Sequence, residues 1–243
     1  MLKKLLIIIA LLLNFSIMAD DVKLTPDNFI HLSGEVSGES VAKLSNQLLL
    51  LSAKLPLDEP IYLIIDSGGG SVYAGLDFIN VMKAVPQKII SVSTFAFSMA
   101  YTISQRADTR LINLNGIMGQ HRAKGSFAGQ FGDGEVEKQL ALWKSIVYSS
   151  NQFEADKMGI TLEEFQALIK DEMYVYDKEA VEKKVADGVA YIKCSKELIT
   201  KYRYEEVQDF FGRKFRTTFS SCPLIRTPIK VEQIQEKKVE DGK

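Results

Sequence analysis

The sequence predicts an α/β fold built on a largely parallel sheet. Strand-like and helix-like segments alternate along the chain with short connections, the pattern of a parallel sheet flanked by helices. The strand candidates include an uninterrupted apolar run, Ile61-Tyr62-Leu63-Ile64-Ile65, whereas the helix candidates carry apolar residues at every third or fourth position. The size agrees: 243 residues, 46% hydrophobic and 25% charged, suit one globular domain with a sizeable core.

The first residues differ from the rest. Lys3-Lys4 precedes a continuous apolar run from Leu5 to Leu13, and Ser16-Ile17-Met18-Ala19 ends on a small residue before Asp20-Asp21. This reads as a secretory signal peptide over residues 1–19, and it places the mature protein in the periplasm or outside the cell. Left uncleaved, the segment would be a membrane anchor, although the run is short for spanning a bilayer. No cysteine stands at the cleavage point, which argues against a lipoprotein.

The elements then follow in order. Asn28 to Ser33 reads as a first strand and Gly34 to Gly38 as a turn. Ser40 to Leu51 carries Val41, Leu44, Leu48 and Leu51 on one helical face. Pro56 to Pro60 is a loop, and Ile61 to Ile65 a buried strand that ends in the turn Asp66-Ser67-Gly68-Gly69-Gly70-Ser71. Val72, Leu76, Ile79 and Met82 mark the next helix, which Pro86 stops. Lys88 to Ser93 is a strand, Ser98 to Arg106 a helix, and Thr109 to Asn113 a short strand. A polar, glycine-rich stretch runs to Gly134. The long helix Glu135 to Met158 carries Val136, Leu140, Trp143 and Val147 as its stripe and ends at Gly159. Thr161 with Glu164 forms a capping box, Asp177 caps a short helix from Lys178 to Lys184, and Val189 to Ile192 is a last strand. Residues 20–195 thus form the domain, and residues 196–243 an extension whose end, Lys230 to Lys243, is charged enough to be a disordered tail. There is no internal repeat.

A formal net charge of −1 and the lack of a basic stripe with interleaved aromatics argue against a nucleic-acid partner. Cys194 and Cys222 would pair in an oxidising compartment or remain two half-buried thiols, since sequence alone sets no distance between them.

The chemistry lies between Ile61 and Arg122. Ser98 opens a helix directly after a strand, and a hydroxyl there needs a base to take its proton. The chain has two histidines. His31 falls in the first strand; His121 follows the strand after Ser98, so neighbouring strand ends present both side chains together. A carboxylate must orient the imidazole. Asp171 and Glu172, in a turn between two predicted helices, are the candidates. The oxyanion donors would be the N–H of Gly70, in the flexible glycine run, and the N–H of Met99, just after the nucleophile at a helix start. The glycine run lacks the lysine and hydroxyl of a P-loop and the spacing of a dinucleotide fingerprint.

These residues resemble the proteolytic subunit of the Clp protease, within the Clp protease–crotonase superfamily. Asp66-Ser67-Gly68-Gly69-Gly70-Ser71-Val72-Tyr73-Ala74-Gly75 is similar to that family's Asn-Ser-Pro-Gly-Gly-Ser-Val-Thr-Ala-Gly, and Phe97-Ser98-Met99-Ala100 to its Ala-Ser-Met-Gly. His121 stands at the family's histidine, at the family's distance from an arginine, here Arg110; Glu179-Ala180-Val181-Glu182 matches its Glu-Ala-Val-Glu. The likeness covers about Asn28 to Ile192. It implies repeated β-β-α units with a helix protruding for oligomerisation, Ser98 as nucleophile, His121 as general base, and Glu172 at the catalytic aspartate. It implies no metal or organic cofactor, peptide or unfolded-protein substrates, and stacking into homo-oligomeric rings through the Glu135–Met158 helix and the glycine-rich segment before it. Outside the cytoplasm no ATP-driven unfoldase is expected.

The chain departs from the family at Gly68 for proline, at Phe97 and Ala100 on either side of the Ser-Met pair, at Arg122-Ala123 after the histidine, and at Glu172 for aspartate. The function expected is thus an ATP-independent serine peptidase. The rival readings are a non-catalytic peptide-binding relic of the fold and a crotonase-like acyl-thioester enzyme.

Overall fold

The computed structural model describes residues 19–125, 130, 132–225 and 227–234. The expected leader, apart from Ala19, lies outside the described residues, as does the charged end from residue 235.

A seven-stranded sheet organises the fold. Strands β1 (Ala19–Leu24), β2 (Phe29–Val36), β3 (Ile61–Gly70), β4 (Ile89–Phe97), β5 (Thr109–Gln120) and β7 (Gly188–Cys194) lie in the order β1-β7-β5-β4-β3-β2, every pair parallel. Strand β6 (Met173–Tyr176) is antiparallel, against the last residues of β5. Helices α1 (Gly38–Ser52), α2 (Val72–Ala84) and α3 (Met99–Gln105) follow β2, β3 and β4 in turn. This is the α/β fold with a mostly parallel sheet that the alternation predicts.

The strand sequences read as continuous apolar runs because both faces of the sheet are covered. Leu63 and Ile65 point into the main core with Leu44, Leu48 and Phe78; Ile64, between them, enters a second core with Val22, Val92, Leu111, Leu198 and Cys222. The predicted stripe of α1 is the observed one: Val41, Leu44, Leu48 and Leu51 are its buried residues.

The register of β2, β3 and β4 slips once before each enters its helix, at Ser33/Glu35, at Ile65/Asp66 and at Ser93/Phe95. Each unit is therefore strand, offset strand, helix, which is the β-β-α repeat. The sequence reads the offset halves of β2 and β3 as turns. Gly34 to Gly38 does not form a turn as a whole, since β2 continues to Val36 past a left-handed Gly34 (φ 77). The glycine run is not a free turn either: Gly69 and Gly70 pair with Glu35 and Val36.

The long helix α4 (Glu135–Met158) has the predicted bounds; only Glu154, Ala155 and Met158 are buried on it, and residues 135–142 are exposed throughout. Helix α5 (Leu162–Leu168) has the predicted capping box, with Thr161 accepting from the Glu164 N–H. Helix α6 (Lys178–Glu182) is not capped by Asp177: that residue sits at φ 47, ψ −124 and its carboxylate makes no cap bond.

The extension is more ordered than the sequence suggests. After α7 (Lys196–Thr200), strands β8 (Tyr202–Gln208), β9 (Lys214–Ser220) and β10 (Lys230–Gln233) form an antiparallel sheet in the order β10-β9-β8. Lys230 to Gln233 is thus strand and not tail. Cys194, at the end of β7, is disulfide-bonded to Cys222, which settles the open pairing and fastens this sheet to the second core.

Candidate active site

Three adjacent strands, β3, β4 and β5, end at one edge of the sheet, and each delivers a part of the site. Ser98 lies between β4 and α3 at φ 55, ψ −123, a conformation disfavoured for a residue with a Cβ and costing about 1–3 kcal/mol. Surrounding bonds hold it there: its N–H donates to the Gly119 carbonyl at 3.1 Å, and its carbonyl accepts from the Thr102 N–H at 3.1 Å. Its side chain caps nothing in α3. The hydroxyl instead meets His121, with Oγ to Nε2 at 2.9 Å. This is a strand–turn–helix elbow carrying a half-buried hydroxyl.

His121 follows the last residue of β5. Its N–H donates to Gln120 Oε1 at 3.1 Å, and its ring stacks on Phe97 at 5.5 Å and 11°. Phe97 also stacks on Tyr174 at 5.1 Å. Gly119 makes room for this ring, since a Cβ there would stand 2.2 Å from Phe97 Cε2. His121 Nδ1 is buried and has no hydrogen-bond partner among the described residues.

Glu172 does not orient the imidazole in this structure. One step beyond the last β5–β6 pair, Gln120 with Met173, Glu172 comes opposite His121. However, its backbone is left-handed at φ 68, and its carboxylate accepts instead from the Tyr174 hydroxyl at 2.7 Å. That bond raises the pKa of Tyr174 above the ordinary tyrosine value. Asp171, the other candidate, is exposed in the preceding turn.

The glycines pass over the elbow. A Cβ on Gly69 would stand 2.7 Å from Met99 N and 2.8 Å from Ser98 Cβ, and one on Gly70 would stand 2.4 Å from the Val36 carbonyl oxygen. Their φ values, 90 and 149, are ones that glycine adopts freely. Gly68 has no such constraint, with only Phe95 at 3.9 Å. The Gly69 N–H is engaged by Ser67 Oγ at 3.1 Å, which leaves Gly70 as the candidate donor of the pair. Met99 is the first residue of α3, where an N–H has no intrahelical acceptor.

A cavity of about 40 Å³ lies beside Ser98, between Leu76, Met99, Thr102 and Gln120 on one side and Val147 and Ser150 of α4 on the other. A larger cleft of about 490 Å³ continues along α4 past Ala123, Leu140, Trp143 and Tyr148.

Sequence reasoning missed Glu154. It is fully buried beneath the small cavity and accepts from Thr102 Oγ1 at 2.6 Å and from Gln120 Nε2 at 3.1 Å. Burial pushes its pKa up to about 7, against the opposing effect of those bonds and of Arg106. Its spacing was a usable signal, since it extends the stripe of Val136, Leu140, Trp143 and Val147 on the way to Met158.

Among the described residues, no group of three or more His, Cys, Asp or Glu side chains is placed to hold a metal ion, and no helix is long and apolar enough to cross a membrane.

Comparison with known proteins gives the chain a family. The family model for Clp protease matches residues 17–193. The ATP-dependent Clp protease proteolytic subunit 1 of Prochlorococcus marinus (strain NATL2A) is 30% identical over 171 residues, 69% of this chain and 85% of that relative. The protein of the same name from Leifsonia xyli subsp. xyli (strain CTCB07) is 33% identical over 126 residues, 49% of this chain and 62% of that relative.

Proposed function

The chain belongs to the Clp protease family, and from that premise we propose that it is a serine peptidase working without ATP in the periplasm or outside the cell. The observation that carries the reading is the 2.9 Å contact between Ser98 Oγ and His121 Nε2 at a strained elbow. His121 takes the hydroxyl proton as Ser98 attacks a peptide carbonyl, and returns it to the leaving amine. The oxyanion accepts from the Met99 and Gly70 N–H groups, and each such donor contributes about 3–4 kcal/mol to the transition state. Water then hydrolyses the acyl-enzyme. Glu172 is the proposed orienting acid, and its route to His121 Nδ1 is through release of the Tyr174 hydroxyl. The small cavity beside Ser98 favours a short side chain at the cleaved bond.

Two observations support an exported protein. Lys3-Lys4 with the apolar run has the form of a leader, and Cys194–Cys222 is the kind of bond that persists in oxidising compartments. In such a place an ATP-driven unfoldase has no fuel, so substrates are short or already unfolded peptides. Assembly into a homo-oligomeric ring is proposed through α4, whose Val136, Leu140, Leu142 and Tyr148 are exposed. Exposed apolar side chains on a helix of this kind call for a covering partner.

The Nδ1 of His121, without a partner among the described residues, favours one rival, a peptide-binding protein that keeps the elbow without turnover. A serine-directed fluorophosphonate probe separates the two. Labelling mapped to Ser98 by mass spectrometry supports the peptidase; an unlabelled, folded protein supports the binder.

A further inference from the structure

Glu154 lies at the inner end of α4 with no exposed surface. Its Oε1 accepts from Thr102 Oγ1 at 2.6 Å and from Ser150 Oγ at 3.4 Å; its Oε2 accepts from Gln120 Nε2 at 3.1 Å. Gln120 Nε2 also donates to Thr102 Oγ1 at 3.1 Å, closing a buried triangle between α4, α3 and β5. Two corners of that triangle lead to the reacting pair. Gln120 Oε1 accepts the His121 N–H, and the Thr102 N–H donates to the Ser98 carbonyl.

We propose that Glu154 is a positioning residue for the hydrolytic site: one carboxylate on the protruding helix fixes Gln120 and Thr102, and through them the two turns that bring His121 and Ser98 together. The inference rests on the peptidase reading of that pair.

The donor and acceptor count carries the argument. An ionised carboxylate only accepts. It therefore forces Gln120 to turn its NH₂ inward, which leaves the amide oxygen facing the His121 N–H. A proton on Glu154 puts a donor inside the triangle. All three neighbours donate to the ionised form, so one must turn to accept that proton: Thr102 or Ser150 by rotating its hydroxyl, or Gln120 by flipping its amide, which would set two N–H groups against each other at His121. Tyr101 and Arg106 of the α3 segment face Glu154, with Arg106 its cation; β5 contributes the uncharged Gln120, and the helix itself Ser150. A buried polar network of this sort is rigid when fully satisfied and costly when one member changes. It also connects the exposed length of α4 to the site, so a shift of that helix moves the imidazole and the hydroxyl together.

The test compares the wild type with Glu154→Gln, Gln120→Met and the double variant, assaying a peptide ester from about pH 5.5 to about 9. Glu154→Gln is expected to lower kcat roughly 10- to 100-fold with KM little changed, and to remove one of two protonations from the acid limb. Gln120→Met should give a similar loss, and the double variant no more than the worse single one. Wild-type kcat and an unaltered acid limb in Glu154→Gln, or additive losses in the double variant, would overturn the proposal. If Glu154→Gln does not fold, Gln120→Met carries the same comparison. The chain has two histidines, so the ring and amide resonances of His121 can be followed by NMR without turnover. A wild type that the probe does not label would remove the peptidase reading. The positioning role would then stand or fall on whether those resonances move in Glu154→Gln.

Discussion

Ser98 Oγ lies 2.9 Å from His121 Nε2, and the Ser98 N–H is bonded to the carbonyl of Gly119, two residues before that histidine. The strand that carries the imidazole thus also holds the elbow that aims the hydroxyl. Ser98→Ala and His121→Ala are each expected to lower kcat at least about 10³-fold, and the double variant should lose little more, because the two side chains act as one unit. The check is the burst and steady state with a peptide ester. Ser98→Gly should be inactive but more stable than Ser98→Ala by about 1 kcal/mol, since φ 55 suits glycine.

Glu172 and Tyr174 give a paired expectation. Tyr174→Phe frees the Glu172 carboxylate and should raise kcat. Glu172→Gln should lower it by about 10²–10⁴-fold with KM little changed, the penalty for an imidazole held in the wrong tautomer. Steady-state kinetics on both variants decide. Undiminished kcat in Glu172→Gln would assign the orienting role to another group.

Gly119→Ala probes the aromatic wall. A Cβ 2.2 Å from Phe97 Cε2 forces that ring off His121, so kcat should fall about tenfold or more while the circular dichroism spectrum is retained.

Stability should fall as pH rises through Glu154's titration. Its folded pKa, about 7, is above the ordinary 4.5, so between those values the folded state holds a proton that the unfolded state has lost. The contribution is fully present below about pH 4.5 and is lost by the time pH passes about 7, a change of about 3 kcal/mol. Denaturant titrations across that range should show the slope in the wild type and lack it in Glu154→Gln.

Cys222→Ser should lower stability by about 2–4 kcal/mol, as expected for a bridge closing a loop between residues 28 apart. Because the bridge lies on the face of the sheet away from Ser98, kcat should change little. Thermal melts with and without reductant provide the measurement.

Much of this was legible because local rules and tertiary packing agreed. The Glu135–Met158 helix has its glycine stop and acidic first turn, the Thr161 box has its Glu164, and the Ile61 strand is apolar on both faces. The reading failed where tertiary pairing outweighed propensity. Gly69 and Gly70 are poor strand formers, yet β2 pairs with them. Strand β6 has four residues and was hidden between predicted helices. The extension's strands are mostly exposed, so Tyr202 to Gln208 shows no buried alternation to betray them. The sequence did not single out Glu154, because its partners Thr102 and Gln120 lie 52 and 34 residues away.

The Cys194–Cys222 bridge has a consequence for the turn that it encloses. The turn between β8 and β9 exposes Phe210 at 98% and Phe211 at 77%, which makes it the most accessible apolar segment among the described residues. That turn lies inside the covalent ring closed by the bridge. A cut there, by a neighbouring copy or another protease, severs the backbone but releases no fragment, and β9 stays attached to the second core through sulfur. Nicked molecules would migrate as one species on a non-reducing gel and as two under reduction. A molecule nicked at this turn thus stays in one covalent piece for as long as its surroundings remain oxidising.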